Sequence, residues 1–453
     1  MKLAKMSLVA ALLLGANAYA IDNVKVNGNA KLYYETVDSD AAGAPDMFDK
    51  DASGADIALQ LGVTADLSEG ISAGATFNAV STLGLENNLV SGVWSGAHGA
   101  SDGGSSFNPA KGVHPDLKSN VDVDDASWFS EAWIAGTAGK TTAKVGRQAL
   151  DTPLAFTETW SITDNTFEAA VLMNQDIPDT TLIAAWIGKS NGIADDRGTN
   201  TITVTDPQDA LGGGTAPFSY NAGNIGYVTA VDGKFSTFAK NGAYALGAIN
   251  NSFEPLTAKA WYYEVPSLAQ AYWLQADLDM EGILAGVQYV DIDTDKNFGA
   301  NTDNDTAYGA MLGYAMKDVV TVKAAFSSVD DEGAIGVANL ATGTGNGGQT
   351  QLYTEMWWWY GTVSATGADT FSISAETTVG EGYDLYLGYW NSDVDAKGAA
   401  DNREVNEIAF TVSKSYGPLD TSVALLWDEI DYTDAASTDE EYTTLQIYLT
   451  YNF

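Results

Sequence analysis

Residues 444–453 alternate without a fault. Leu445, Ile447, Leu449, Tyr451 and Phe453 fall on one phase, and Thr444, Gln446, Tyr448, Thr450 and Asn452 on the other. A strand repeats every two residues, so this order builds one oily face and one polar face. The same pattern recurs elsewhere: Val24, Val26, Ala30, Leu32 and Tyr34 oppose Lys25, Asn27, Asn29, Lys31 and Glu35, while Ile57, Leu59, Leu61, Val63, Ala65 and Leu67 oppose Asp56, Gln60, Thr64 and Asp66. Charges on the second face imply water there. A soluble sandwich that buries one face and wets the other would alternate in the same way, so the pattern alone leaves two architectures open.

The two ends of the chain separate them. A strand that finishes on an aromatic residue, here Phe453, fits a transmembrane β-barrel whose oily face meets lipid. Residues 1–20 read as a signal peptide: Lys2 and Lys5 precede an apolar stretch over 8–14, and Ala18 and Ala20 form a small-x-small cleavage site, so the mature chain is expected from Ile21. Beyond it no run of about 18 apolar residues occurs, which excludes a membrane helix. A chain embedded in lipid without helices must close its sheet to satisfy every backbone group.

Composition enters at this point. There is no cysteine, proline numbers only 10, and glycine (46), tyrosine (22) and tryptophan (12) are abundant. An exported chain without disulfides fits a sheet closed on itself, which has no edge to protect. No Pro- or Ser-rich linker divides residues 21–453, which read as a single domain. The net charge of −39 repels phosphate backbones and excludes nucleic acid as a partner.

Alternation marks about 18 strands, with 16 open: near 24–36, 55–67, 70–82, 126–137, 141–148, 166–175, 180–189, 240–250, 256–264, 269–279, 283–293, 305–317, 319–329, 367–379, 383–391, 404–414, 420–431 and 443–453. An even number suits an antiparallel barrel. Tight turns at Glu69-Gly70, Ala138-Gly139, Glu281-Gly282, Lys317-Asp318, Gly380-Glu381-Gly382 and Gly417-Pro418 all fall at even-to-odd junctions. The long segments 37–54, 83–125, 149–165, 330–366 and 392–403 fall at odd-to-even ones. Short periplasmic turns and long extracellular loops are therefore expected. A further hairpin within 190–240 stays open.

Specific segments resemble a known family. Lys144, Val145, Gly146, Arg147 and Gln148, then Asp151, Thr152, Pro153 and Leu154, Trp160, and the run 175–181 from Gln175 to Thr181 look like the Opr-type porins of Campylobacter relatives, among them their major outer-membrane porin. The stretches 22–28 and 449–453 are similar too. The resemblance is most specific over 140–190, and 83–125 and 330–366 carry none of it. It implies an 18-stranded barrel in the bacterial outer membrane, commonly a homotrimer, that passes small hydrophilic solutes. It also implies that the third long loop, about 147–165, folds inward.

That loop would set the constriction. Lys144 and Arg147 at its base would then face Asp151, Glu158 and Asp164, and opposed charges across a narrow pore make a transverse field that filters ions. The blander alternative has Asp151 and Asp164 capping turns, Arg147 in a structural ion pair on the wall, and Glu158 solvated. The acidic excess predicts a preference for cations. No cofactor is required by any motif, but Asp291, Asp293 and Asp295 offer alternating carboxylates to Ca²⁺, set against diffuse counter-ions or bridging to neighbouring lipopolysaccharide and lipid. Trp357, Trp358, Trp359 and Tyr360 are expected in the interfacial belt, with a trimer contact or a sugar-stacking platform as alternatives. An outer-membrane hydrolase would need a placed histidine, and His98 and His114 both fall in the glycine-rich stretch 83–125. A plugged barrel serving as a surface adhesin is the remaining alternative to a channel.

Overall fold

A computed structural model of the chain describes residues 22–41, 43–81, 84–85, 89–90, 126–160, 162–191, 201–204, 218–221, 235–237, 241–266, 269–294, 304–333, 335–339, 348–395, 402–433 and 439–453. The signal segment, His98, His114 and Asp295 lie outside the described residues.

Where two strands meet at a tight turn, the sequence supplies residues that tolerate a left-handed backbone. Gly70 turns at φ +71°, and a Cβ there would meet Thr137 O at 2.7 Å; Gly282 at φ +87° faces Ala315 O in the same way at 2.6 Å. These turns join alternating segments into 18 antiparallel wall strands. In chain order they are β1 (Asp22–Ser39), β2 (Ser53–Ser68), β3 (Ile71–Ser81), β4 (Ala126–Ala138), β5 (Thr141–Gln148), β6 (Phe167–Asn174), β7 (Thr180–Ser190), β8 (Ala243–Phe253) and β9 (Leu256–Val265). The second half comprises β10 (Ala269–Met280), β11 (Ile283–Thr294), β12 (Asp305–Met316), β13 (Val320–Val329), β14 (Ala368–Val379), β15 (Tyr383–Val394), β16 (Arg403–Tyr416), β17 (Leu419–Tyr432) and β18 (Glu440–Asn452).

Each strand pairs with its sequence neighbours. β18 returns to β1 in a register running from Asn29↔Asn452 to Ser39↔Tyr442, so the sheet has no free edge. The strand expected at 240–250 is displaced to Ala243–Phe253: Gly242 turns at φ +73° against the Ile187 carbonyl and interrupts the ladder, which resumes where Ser236–Thr237 pairs with Lys189 and Ser190. Within 190–240, Thr201–Val204 and Phe218–Asn221 do pair as a hairpin, but in a sheet separate from the wall.

Alternation decides what each face meets. Val287, Leu312, Phe326, Ile373, Leu387, Phe410 and Leu425 stand exposed on the outside. They make the apolar band of a barrel wall. Aromatic residues flank it. Tyr262 and Tyr272 (5.2 Å between rings) and Tyr289 and Tyr308 (5.3 Å) lie toward the loop end. At the turn end Lys414 Nζ sits 3.9 Å over the Tyr383 ring and 5.2 Å over that of Tyr416, an ammonium held at headgroup level. Above the upper aromatics the outer face turns acidic: Asp369, Asp393, Glu404 and Asp431 stand opposite one another across β14–β17.

The inner face is not empty. Trp261, Tyr263, Trp273, Val290, Ala409 and Leu426 point inward and are buried together with Leu154, Leu352 and Met356, which lie on no wall strand. The interior of the barrel therefore holds chain.

Candidate functional site

Two segments fill part of the lumen. The first, residues 149–166, starts with a small hairpin in which Asp151–Thr152 pairs with Ala155–Phe156. Thr152 Oγ1 donates to Ala155 O at 2.8 Å, and the Leu150–Thr157 backbone pair closes its base at 2.8 Å. Its tip carries Leu154, fully buried, whose N–H donates to Tyr263 Oη on β9 at 3.3 Å. The second segment, 335–366 with 340–347 outside the described residues, doubles back through Val337 N–H to Ser364 O (2.8 Å) and Asn339 N–H to Gln349 O (2.7 Å).

Wall carboxylates hold this second segment. At its start Asp305 accepts the N–H groups of Ile335 (3.1 Å) and Gly336 (2.7 Å) and the Thr366 hydroxyl (3.1 Å). Midway, Glu407 of β16 accepts three consecutive backbone N–H groups, from Trp357 (2.6 Å), Trp358 (2.9 Å) and Trp359 (2.8 Å). A carboxylate that receives several N–H bonds recovers in hydrogen bonds what burial removes in hydration. Trp357 Nε1 reaches Gln446 on β18 at 3.1 Å, Tyr353 N–H reaches Gln288 on β11 at 3.1 Å, and the Tyr353 hydroxyl bonds Asp277 on β10. The tryptophan run thus lies inside the barrel and not in the lipid interface. Its backbone donors need a buried acceptor, and a lumen-facing glutamate supplies one where a lipid-facing belt could not.

The two segments meet through Asn339. Its Nδ2 donates to Phe156 O and to Glu158 Oε1, both at 2.9 Å, while its Oδ1 accepts the Phe156 N–H at 3.3 Å. Gln351 Nε2 donates to Asp151 Oδ1 at 3.3 Å, and the Trp160 and Tyr360 rings stand 5.6 Å apart.

The five constriction candidates occupy five different settings. Asp151 is exposed in the lumen at the edge of the hairpin. Glu158 is buried, taking Trp160 Nε1 (3.0 Å) as well as Asn339, and is not solvated. Asp164 lies 3.9 Å from Lys31 Nζ on β1, not near Lys144 or Arg147. Lys144 faces the lumen with its ammonium 4.4 Å over the Trp133 ring. Arg147 turns the other way, to the side of β5 that carries the exposed Val145. There it bonds Glu168 Oε1 (3.1 Å) and Phe129 O (2.9 Å), its guanidinium lies 4.0 Å over the Phe235 ring, and Lys189 completes the cluster 3.2 Å from Glu168. The period of two separates Lys144 from Arg147, so they cannot share a pore face. Asp291 accepts hydrogen bonds from Tyr289, Asn304 and Thr306, and among the described residues no group of three acidic, His or Cys side chains gathers to hold a metal ion.

Sequence reasoning missed Asn339, Glu407, Asp305 and Tyr353. For the tryptophan run that Glu407 holds, one signal existed. A run of aromatics within a long loop, out of step with any strand period, is poorly suited to water and asks for an interior.

A barrel wall with an apolar band, an inward chain and a polar lumen is a pore architecture, and comparison with known proteins agrees. A family model described as Gram-negative porin matches residues 7–356. The chain belongs to the Gram-negative porin family. No curated protein matches it in sequence. Among solved structures, this porin is similar to Pseudomonas aeruginosa OccK3 (OpdO), with TM-score 0.63 at 10% identity over 98% of this chain and 99% of that one. Acinetobacter baumannii OccAB3 gives TM-score 0.62 at 13% identity over 95% and 100%, and Pseudomonas aeruginosa OccK8 (OprE) 0.61 at 12% over 95% and 99%. At such identities the likeness is one of fold. The porin is an outer-membrane β-barrel, and its family and architecture indicate a channel rather than an enzyme.

Proposed function

We propose that this porin is a passive diffusion channel that prefers cations over anions and whose narrowest part is bounded by the two inward segments. The observation that carries the preference is the balance of charge around the lumen. Lysines on the inner wall stand beside carboxylates, as in Lys31–Asp164 (3.9 Å), Lys259–Asp277 (3.8 Å) and Lys323–Glu376 (3.6 Å), whereas Asp151 projects exposed with an uncharged amide, Gln351, as its neighbour. An uncompensated carboxylate at a narrow point raises the local concentration of cations. Assembly as a trimer and the narrower kinship with Opr-type porins of Campylobacter relatives rest on the sequence resemblance, export by a cleaved signal peptide on the pattern of residues 1–20, and contact with lipopolysaccharide on the acidic residues; all belong to the same reading. No catalytic role and no resident cofactor are proposed; Ca²⁺ held by Asp291, Asp293 and Asp295 is a weaker supplement to it.

A second reading has support in the packing. The carboxylate-pinned segment 348–366 occupies much of the interior, as a plug would in a barrel that serves as an adhesin. One experiment separates the two: reversal potential and single-channel conductance of the purified protein in a planar bilayer under a salt gradient. A cation-selective open channel whose selectivity falls in Asp151→Asn supports the proposal. A folded barrel that never conducts supports the plug.

A further inference from the structure

Below the inward segments, toward the turn end of the barrel, lies a cavity of about 590 Å³ whose lining includes Tyr33 of β1, Trp160 of the first inward segment, Trp357 and Trp358 of the second, Tyr386 of β15 and Tyr448 of β18. The size suits a small ligand. The rings come from five separate parts of the chain and all but the buried Tyr33 keep part of their faces open, so the aromatic wall is built by the tertiary fold. Trp357 and Tyr386 also line a second cavity of about 780 Å³ at the β12/β13 turn, so the site stands on a route to the barrel mouth.

The polar groups on this wall are unusual. Glu355 Oε2 accepts the Thr350 N–H at 2.8 Å, but Glu355 Oε1 and Gln349 Oε1, both on lining residues, are shut off from solvent and accept no hydrogen bond. Both oxygens therefore belong to the packed side of the wall and not to the surface a solute meets. Thr159, Ser422 and Thr450 add hydroxyls to the rim, and the one lysine in the lining, Lys31, already has Asp164 at 3.9 Å. No arginine lines the cavity, which disfavours an anionic solute. The lysine disfavours a cationic one.

We propose that this cavity is a binding site for a neutral saccharide, with the C–H faces of the sugar ring stacked on Trp160 and Trp358 and its hydroxyls bonding the rim hydroxyls of Thr159, Ser422 and Thr450. The chemistry matches on both counts. Aromatic planes complement the apolar faces of a pyranose, and the edge of the ring carries hydroxyls that both donate to and accept from those of the rim. The site rests on the channel reading only for its route of access, since binding itself does not require conduction.

The test uses maltotriose as probe and two readouts on the full-length protein in its barrel state. Intrinsic tryptophan fluorescence of the detergent-purified protein should titrate saturably with maltotriose, and the same sugar should block ion current in a planar bilayer. Trp160→Ala and Trp358→Ala should each raise the half-saturating concentration about tenfold, Trp160→Phe should largely restore it, and Thr450→Val should raise it by less than either alanine. Asp439→Asn, on the β17/β18 loop, should leave it unchanged and serves as control. Normal conductance with neither titration nor block overturns the site and leaves the channel standing. Titration without any conductance keeps the site and overturns the channel. Saturable response to choline but not to maltotriose overturns the saccharide assignment, and so does maltotriose binding that ignores both tryptophan substitutions.

Discussion

The two inward segments solve the same problem by different chemistry. Residues 149–166 are rooted by shape: a hairpin closed on itself, a fully buried Leu154 among Trp261, Tyr263 and Trp273, and the uncharged Asn339 as a clasp. Residues 335–366 are rooted by charge, with Asp305 and Glu407 each gathering backbone N–H groups. An apolar root tolerates another side chain of equal volume and is indifferent to proton and salt. A carboxylate root is intolerant of both deletion and neutralisation, because the donors it leaves behind are buried and have no water to turn to.

Removing the Glu407 carboxylate is the hardest blow to the charged root. Glu407→Ala should cost about 3–5 kcal/mol, as expected for stranding buried hydrogen-bonded groups, and should lower the temperature of heat modification on gels while raising single-channel conductance as the tryptophan run comes away. Unchanged conductance would show that the run does not bound the open pore. On the apolar root, Leu154→Ala should cost about 2–4 kcal/mol and Leu154→Met less than about 1.5, measured by thermal unfolding in detergent. If Met proved as damaging as Ala, shape would not be the principle. The clasp between the segments should be weaker: Asn339→Ala loses about 1–2 kcal/mol, and a double-mutant cycle with Glu158→Gln should be non-additive, since the two side chains touch at 2.9 Å.

Acid and alkali give a finer distinction. Burial pushes the Glu355 carboxyl well above its ordinary value, the nearby Glu158 and Glu407 carboxylates push it further, and the Thr350 N–H opposes. A carboxyl raised in the folded state favours the neutral form, so its contribution is complete below the ordinary carboxylate value and is lost as the pH climbs from there through the raised one. Thermal stability of the charged root should therefore decline on that rise, and Glu355→Gln should flatten the curve; a curve unaltered by the substitution would place the titration elsewhere. Smallest of all, Asp439→Asn on the β17/β18 loop should leave ion selectivity unchanged at high salt, where exposed charges are screened within about 3 Å at 1 M. An effect equal to that of Asp151→Asn would dismiss the inward hairpin as the selectivity element.

The wall was legible because it obeys a local rule. Alternation and turn residues such as Gly70, Gly282 and Gly417 are written within a few positions of one another, and the strand order follows once each turn joins neighbours. The lumen was not, because its contacts join distant parts of the chain. Asn339 meets Glu158 across 181 positions and Gln351 meets Asp151 across 200. Arg147 illustrates a subtler limit: it sits three residues from Lys144, an odd step in a strand, which already implied opposite faces, yet the family likeness drew both to the pore. The aromatic run failed for another reason, since a Trp triplet satisfies a lipid interface and a protein interior equally well by composition, and only the acceptor opposite its backbone tells them apart.

The seam where β1 meets β18 has a consequence in time. Glu441 donates its N–H to Asp40 across 401 positions, and the whole ladder from Asn29 to Ser39 waits for the same partner. Closing so distant a contact is the step with the greatest loss of chain entropy and must follow the hairpins, which zip locally. Until that moment both outermost strands are open templates for any extended chain nearby. The nascent barrel is therefore most prone to aggregate late, when it is nearly whole, and a factor that shields one bare edge would protect it better than one that shields its oily face.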